Sequence, residues 1–249
     1  MSSLWFEPKW PAPRGVRVVS TLRGSPSGGG ASKAPYACFN LGRNVGDDPL
    51  AVAENRRILV REAGLPAEPP WLAQVHGVAV VDLDQAGPHA AADAALTRRS
   101  GNVCAILTAD CLPIVFATDT GDTVAAAHAG WRGLAAGVIG ATVRAMAAQP
   151  ERLIAWLGPA IGPSHFEVGG EVRQAFLSGD SGAGDAFKAN AGGKFMADLG
   201  MLARRQLKGL GINRIYGGGE CTYARADRYF SHRRDGVTGR QATLVWREE

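Results

Sequence analysis

Histidine and cysteine are both scarce in this chain of 249 residues, which has five of the first and four of the second. No two histidines stand in an H-x-H pair. A multicopper oxidase combines a blue-copper site with a separate trinuclear cluster and needs about ten histidines, many in such pairs, so that chemistry is excluded. The cysteines, Cys38, Cys104, Cys111 and Cys221, include no C-x-x-C pair. They form no dense disulfide framework and suit a reducing compartment. The H-x-E…P-C-x-x-C signature of cytidine-type deaminases is missing. So is the G-x-x-x-x-G-K-S/T phosphate loop, which neither residues 24–32 nor residues 193–195 satisfy. No apolar run reaches membrane-spanning length, residues 1–10 hold no signal-type apolar region, and no N-x-S/T acceptor occurs. The expectation is a cytoplasmic protein with no membrane partner. The net charge of +4 is spread over doublets such as Arg56-Arg57 and Arg204-Arg205, with no basic stripe interleaved with aromatics. Nucleic acid is therefore not an expected partner, whereas a mild positive balance favours a small anionic substrate such as phosphate.

What is present is ordinary globular material: 46% hydrophobic residues and 33 glycines, enough to bury one sizeable core. There is no internal repeat and no dividing linker, so residues 1–249 are expected to form one catalytic domain, with 24–33 a flexible Gly/Ser/Pro loop. Strands are expected at 16–20, 103–108, 114–117, 123–127, 153–157, 212–216 and 241–246. Residues 71–81 read as one strand with a turn, or two short strands. Helices are expected at 48–63, opened by Asp48 or Pro49 and closed by Gly64, and at 134–148, 170–177 and 197–210. Residues 179–193 read as a loop. Strands and helices alternate without a strict β-α-β rhythm, which predicts an α+β fold with mixed sheets and flanking helices.

Three segments put a metal-capable side chain where a strand yields to a Gly- or Pro-containing turn: Gln74-Val75-His76-Gly77, Ala109-Asp110-Cys111-Leu112-Pro113 and Ala127-His128-Ala129-Gly130. Strand ends present side chains to a cleft while the backbone stays rigid. Two imidazoles and one thiolate with a fourth position free are the ligand set of catalytic zinc. The spacings of 35 and 17 residues match no short metal pattern, so separate packing roles for His76, Cys111 and His128 compete with that reading.

The segments NLGRNVGDDP, QVHG, LTADCLP, AAHAGWRG, WLGPAIGP, FEVG, GGGECTY and SHRRDGVTGR closely resemble the YfiH-type family. That family is also called the laccase-domain or multicopper polyphenol oxidase family and, in bacteria, a peptidoglycan-editing factor. The resemblance runs from about Tyr36 to the C-terminus in the family's order, and departs from it in the longer 24–33 loop and in Cys38, where the family usually has Ser. It implies a YfiH-like fold and zinc held by His76, Cys111 and His128. It also implies phosphorolysis of the purine nucleosides adenosine, inosine and methylthioadenosine, with adenosine deamination beside it. Zinc would polarise an oxygen nucleophile or lower the pKa of water. Asp110, next to a ligand, is a candidate to accept a proton or to orient the site. Arg132, in the turn before the 134–148 helix, is a candidate for phosphate. Arg233 and Arg234 are candidates for phosphate or ribose. Asn40 and Cys221 are candidates to line the substrate pocket, Cys221 alternatively as a small buried hydrophobe, and His232 to touch substrate. His89 and His165 read as structural and Cys104 as core.

Three other functions compete with this one. A hydrolase acting on a misincorporated peptidoglycan precursor needs the same activated oxygen and anion pocket. A metal-free Cys111–His128 thiol hydrolase is separable from both by metal analysis. A blue-copper carrier shares the Cys-His-His set but takes its ligands from one short loop, whereas the Met nearest to them here is Met146, inside an expected helix.

Overall fold

The computed structural model describes residues 4–25, 28–85 and 91–248; His89 and part of the 24–33 loop lie outside them. The elements in chain order begin with β1 (Trp5–Phe6), β2 (Val16–Thr21), α1 (Pro49–Glu62), β3 (Val80–Asp82), β4 (Ala94–Thr97), β5 (Val103–Thr108), β6 (Leu112–Thr118) and β7 (Val124–Ala129). They continue with α2 (Trp131–Ala136), α3 (Val138–Met146), β8 (Leu153–Leu157), β9 (Glu167–Val168), α4 (Gly170–Leu177), β10 (Phe187–Ala189) and β11 (Phe195–Ala197). The last are α5 (Leu199–Gly209), β12 (Arg214–Gly217), α6 (His232–Asp235) and β13 (Gln241–Arg247). The fold is α+β with mixed sheets and flanking helices.

An antiparallel sheet of order β1-β2-β13-β5 faces a mixed sheet of order β12-β8-β6-β7-β4-β3, in which only the two outermost pairs are parallel. The period of two in the strands builds the layers. On β6, Val115 and Ala117 meet Val18, Ile106 and Val245 of the first sheet. Leu112, Ile114 and Phe116 of the same strand point the other way, onto α2, α3, α4 and α5. The outer face of the first sheet, including Val19, Ala105 and Leu244, is covered by α1 and Trp71. A small sheet, β10-β11-β9, closes one end. No helix among the described residues is long and apolar enough to cross a membrane.

Helix α1 starts as its sequence dictates: the Asp48 carboxylate accepts from the Leu50 N–H, and Pro49 occupies the first turn, where its missing N–H costs nothing. Its buried residues Val52, Asn55, Arg56 and Leu59 follow the helical period. Asn55 anchors the preceding loop by accepting from the Ala31 N–H and donating to the carbonyls of Cys38 and Asn40.

Three expected elements differ. Residues 71–79 contain no strand beyond an isolated bridge at Ala73; the strand begins only at Val80. The backbone there is engaged by a side chain instead, Asp93 taking three consecutive N–H groups, while the side-chain amide of Gln74 in the same segment pairs with both the N–H and the carbonyl of Leu107 in β5. The expected helix at 134–148 is two helices that start earlier, at Trp131, and break at Gly137, whose φ of 93° no right-handed helix accommodates. Arg132 therefore lies inside α2 and not in a turn before it. The expected loop at 179–193 holds a 3-10 segment (Ser181–Ala186) and β10.

Candidate metal centre and adjoining cavity

His128 is set by β7. Val124 and Ala126 of that strand face the opposing sheet, and His128 continues their series to the rim of the inter-sheet space, buried and opposite Pro113 of β6. Cys111 lies in the link Ala109-Asp110-Cys111, which carries the chain from β5 in one sheet to β6 in the other. Asp110 takes φ 90° in that crossing, and its carboxylate accepts from Thr222 Oγ1 at 2.6 Å and the Arg233 N–H at 2.7 Å. His76 is also left-handed, with φ 60°. Such positions cost about 1–3 kcal/mol each and persist where the surroundings over-determine them, characteristically at functional sites.

The three side chains converge. Their ligand atoms lie within 4.8 Å of one another, with Cys111 Sγ 4.0 Å from His76 Nε2. The two imidazoles meet edge-on, with centroids 4.7 Å apart. A tetrahedral zinc with ordinary Zn–N and Zn–S bonds spaces its ligand atoms roughly 3.3–3.6 Å apart, so the side chains would draw together by about an ångström at the widest pair to close on an ion. The space for an ion is kept by Gly130: a Cβ there would stand 2.9 Å from Cys111 Sγ, 3.2 Å from His76 Cδ2 and 3.5 Å from His128 Nε2. Gly133 serves the same centre, since a Cβ on it would press 2.8 Å from the Gly77 carbonyl and push α2 off the His76 turn. The residues fit a metal ion. The Met that a blue-copper reading would need is elsewhere: Met146 is buried in the core.

Electrostatics prepare the ligands. Burial opposes ionisation of Cys111, but His128 and His76 outweigh it and bring the thiol down to about 6. Burial alone would lower His128; Asp93 and the Cys111 thiolate lift it instead, to about 9. Asp93 is itself held below the usual carboxylate range: burial pushes it up, and the hydrogen bonds from His128 and the Gly77 and His76 N–H groups overcome that. Thiolate, the form that binds metal, is thus present at neutral pH.

The centre opens into a cavity of about 790 Å³, within the range of small-molecule sites. Among the described residues it is lined by four arginines (Arg43, Arg56, Arg132 and Arg240), three histidines (His76, His128 and His232) and no carboxylate. Arg56 is buried against Trp71, with Cζ 4.1 Å from the ring centroid, and donates to the Leu41 carbonyl; burial lowers it to about 10. Burial also lowers Arg240, which donates to the carbonyls of Thr238 and Gly239. Arg43 and Arg132 are exposed, and neither makes a side-chain hydrogen bond or ion pair among the described residues. Thr108, on the wall, is the buried side chain whose hydroxyl has no partner among the described residues. His232 Nδ1 donates to the Gly236 carbonyl at 2.7 Å, which leaves Nε2 free.

Of the sequence candidates, His76, Cys111, His128, Arg132 and His232 come together here. The others do not line the cavity. Arg234 spends its donors on the carbonyls of Thr222, Tyr223 and Tyr229 and on Asp235. Arg233 lies over Phe166 and donates to the Glu167 carbonyl. Asn40 is fully buried and holds Gly42, Asp47 and the Arg240 N–H, shaping the wall without lining it. Cys221 Sγ accepts from the Gly162 N–H at 3.1 Å and lies 3.6 Å from His165, whose ring stacks on Tyr223. Cys104 is core, its thiol pushed far up by burial. The sequence reading passed over Asp93, Arg43, Arg56, Arg240 and Thr108. Asp93 did leave a signal, a lone carboxylate in the alanine run 90–95, which a buried segment tolerates only when the charge is paired.

Residues 23–248 match the family model described as multi-copper polyphenol oxidoreductase laccase. The chain is 49% identical over 241 residues to the purine nucleoside phosphorylase YfiH of Escherichia coli, covering 96% of this chain and 97% of that one. It is 50% identical over 246 residues to a purine nucleoside phosphorylase of Pseudomonas aeruginosa, covering 98% and 99%. A crystal structure from Neisseria meningitidis superposes with a TM-score of 0.94 at 44% identity, over 99% of this chain and all of that one.

Proposed function

This chain belongs to the YfiH-type, laccase-domain family, and on that premise we propose that it is a zinc-dependent purine nucleoside phosphorylase of the cytoplasm. Its substrates are adenosine, inosine and methylthioadenosine, with deamination of adenosine as a side activity. The observation that carries this reading is the convergence of His76, Cys111 and His128 at a cavity lined, among the described residues, by four arginines and no carboxylate. The name borne by the Escherichia and Pseudomonas relatives supports the reaction class.

His76, Cys111 and His128 would hold the zinc and leave a coordination position free. Zinc, when bound, supplies Lewis acidity toward a substrate oxygen. Arg43 and Arg132, with unspent donors, take the phosphate dianion, and the buried Arg56 and Arg240 add a positive field that no carboxylate in the cavity wall cancels. Phosphate oxygen forms a bond to C1′ of the sugar as the bond from C1′ to the purine nitrogen breaks, giving sugar 1-phosphate and free base. The departing base must gain a proton. Of the imidazole and thiol side chains that line the cavity among the described residues, His76, Cys111 and His128 are claimed by the metal, which leaves His232 as the donor through Nε2. Asp110 has both oxygens engaged and acts by positioning the Cys111 link, while Asn40, Cys221, Arg233 and Arg234 hold the surrounding loops.

The test incubates adenosine with zinc-loaded protein, with and without phosphate, and resolves the products. Adenine and ribose 1-phosphate formed only with phosphate support the reading; inosine alone would make the protein a deaminase. No turnover of any nucleoside would overturn it in favour of the peptidoglycan-precursor hydrolase. His232→Gln is expected to lower kcat at least tenfold with zinc content unchanged.

A further inference from the structure

Asp93 is fully buried just before β4 and makes six hydrogen bonds, all toward the segments that carry the two histidine ligands. Its Oδ1 accepts from the His76 N–H at 2.9 Å and from His128 Nδ1 at 2.8 Å. Its Oδ2 accepts from the Gly77 N–H at 2.6 Å and the Val75 N–H at 3.2 Å. On the main chain, its carbonyl accepts from the His128 N–H at 2.6 Å and its own N–H donates to the Ala79 carbonyl at 3.0 Å. Its one ion-pair partner among the described residues is His128; no lysine or arginine neutralises it.

We propose that Asp93 is the positioning residue of the metal centre, one carboxylate that sets both the tautomer of His128 and the left-handed backbone of His76. The inference rests on the reading of His76, Cys111 and His128 as zinc ligands. A proton held on His128 Nδ1 by Oδ1 leaves Nε2 to supply a lone pair on the side facing Cys111. Three consecutive N–H groups closing on one carboxylate fix residues 75–77, and with them the φ of 60° that turns His76 toward the same point. Neither effect requires a metal ion. The two histidines come from segments that share no strand pairing, one from an irregular loop and one from β7, and Asp93 bonds to both.

Asparagine at this position tests the charge and acceptor pattern without changing shape. One carboxylate oxygen becomes an NH₂ donor, and either orientation fails. An amide nitrogen facing Val75 and Gly77 opposes their N–H groups and frees the His76 turn. An amide nitrogen facing His128 donates to Nδ1, which drives the ring proton to Nε2 and blocks the ligand. Asp93→Asn should therefore bind zinc about 10–100-fold more weakly in chelator competition, the usual scale for partners that orient ligands. The control is Asp84→Asn, since Asp84 also accepts several hydrogen bonds, from Thr97, the Arg98 N–H and Asn102, but touches no ligand. Asp84→Asn should lower the melting temperature with zinc affinity unchanged. In zinc-loaded wild-type protein, ¹⁵N NMR should find His128 protonated at Nδ1, which needs no variant to fold. Wild-type zinc affinity in Asp93→Asn, an equal loss in Asp84→Asn, or a His128 proton on Nε2 would each overturn the proposal. Zinc binding that survives Cys111→Ala would instead overturn the ligand assignment beneath it.

Discussion

Cys111 is the candidate ligand whose removal reports most cleanly, because it would supply the one anionic donor of the set. Purified wild-type protein should carry about one zinc per chain by elemental analysis, and Cys111→Ala should carry almost none while keeping its far-UV spectrum. The arginines divide by what their donors already hold. Arg132→Ala removes an unspent guanidinium from the cavity and should raise the phosphate KM by severalfold, about the effect of one solvent-screened charged contact. Arg234→Ala strips a structural hub from three carbonyls and Asp235 and should lower the melting temperature first. Adjacency in sequence does not reveal where a guanidinium points, so Arg233 and Arg234 read as an anion site and are loop anchors. Flanking turn residues singled out His76, Cys111 and His128 but left packing roles open; the family resemblance named them as a ligand set, and the fold brings the three together. Thr108→Val separates two roles of the orphaned hydroxyl. Deleting it should raise the melting temperature, since an unsatisfied buried hydroxyl costs about 1–3 kcal/mol. A simultaneous rise in nucleoside KM would assign it to substrate.

At the level of elements, α2 and its entry glycine give the site its shape. Gly130 has φ −61° and caps the helix without a side chain, so alanine there meets no backbone strain. Its methyl would instead occupy the space 2.9 Å from Cys111 Sγ. Gly130→Ala is expected to keep a folded protein and to lose zinc affinity by at least tenfold, measured by chelator competition. Gly137→Ala is the converse: nothing lies within 4 Å of the added Cβ, but φ 93° is strained for alanine. It should lower stability by about 1 kcal/mol or more, with metal binding intact. The same pair explains what the sequence revealed of the fold. Residues with their own local logic, Asp48-Pro49 at α1 and the buried strands at 241–246 and 103–108, read correctly. Residues 71–79 did not, because Asp93, distant in the chain, takes the N–H groups of 75–77 and Gln74 reaches out to the Leu107 backbone. The alanines of 134–148 advertise helix and say nothing about the break that Gly137 makes.

For the whole molecule, the centre sits at the rim where two sheets meet, outside the apolar clusters that bind β2, β5, β6, β7 and β13 together. His76, Cys111 and His128 come from three separate segments, so zinc held by them would tie parts of the chain that the core already holds. Folding should not depend on the ion, unlike a zinc finger, whose ligands are its core. Zinc bound to the native state and not to the unfolded chain would add stability of RT ln(1 + [Zn]/Kd), about 2.7 kcal/mol at a hundredfold excess over Kd. Chelation should therefore lower the melting temperature by several degrees without changing the far-UV spectrum, and readdition of zinc should restore it. In Cys111→Ala the same titration should produce no shift. A chelated wild-type protein that unfolds outright would mean that the ligand segments, and not the paired sheets, carry the fold. The His76 turn and the Asp110–Cys111 crossing would then be where unfolding begins, readable as early loss of amide protection at residues 75–77.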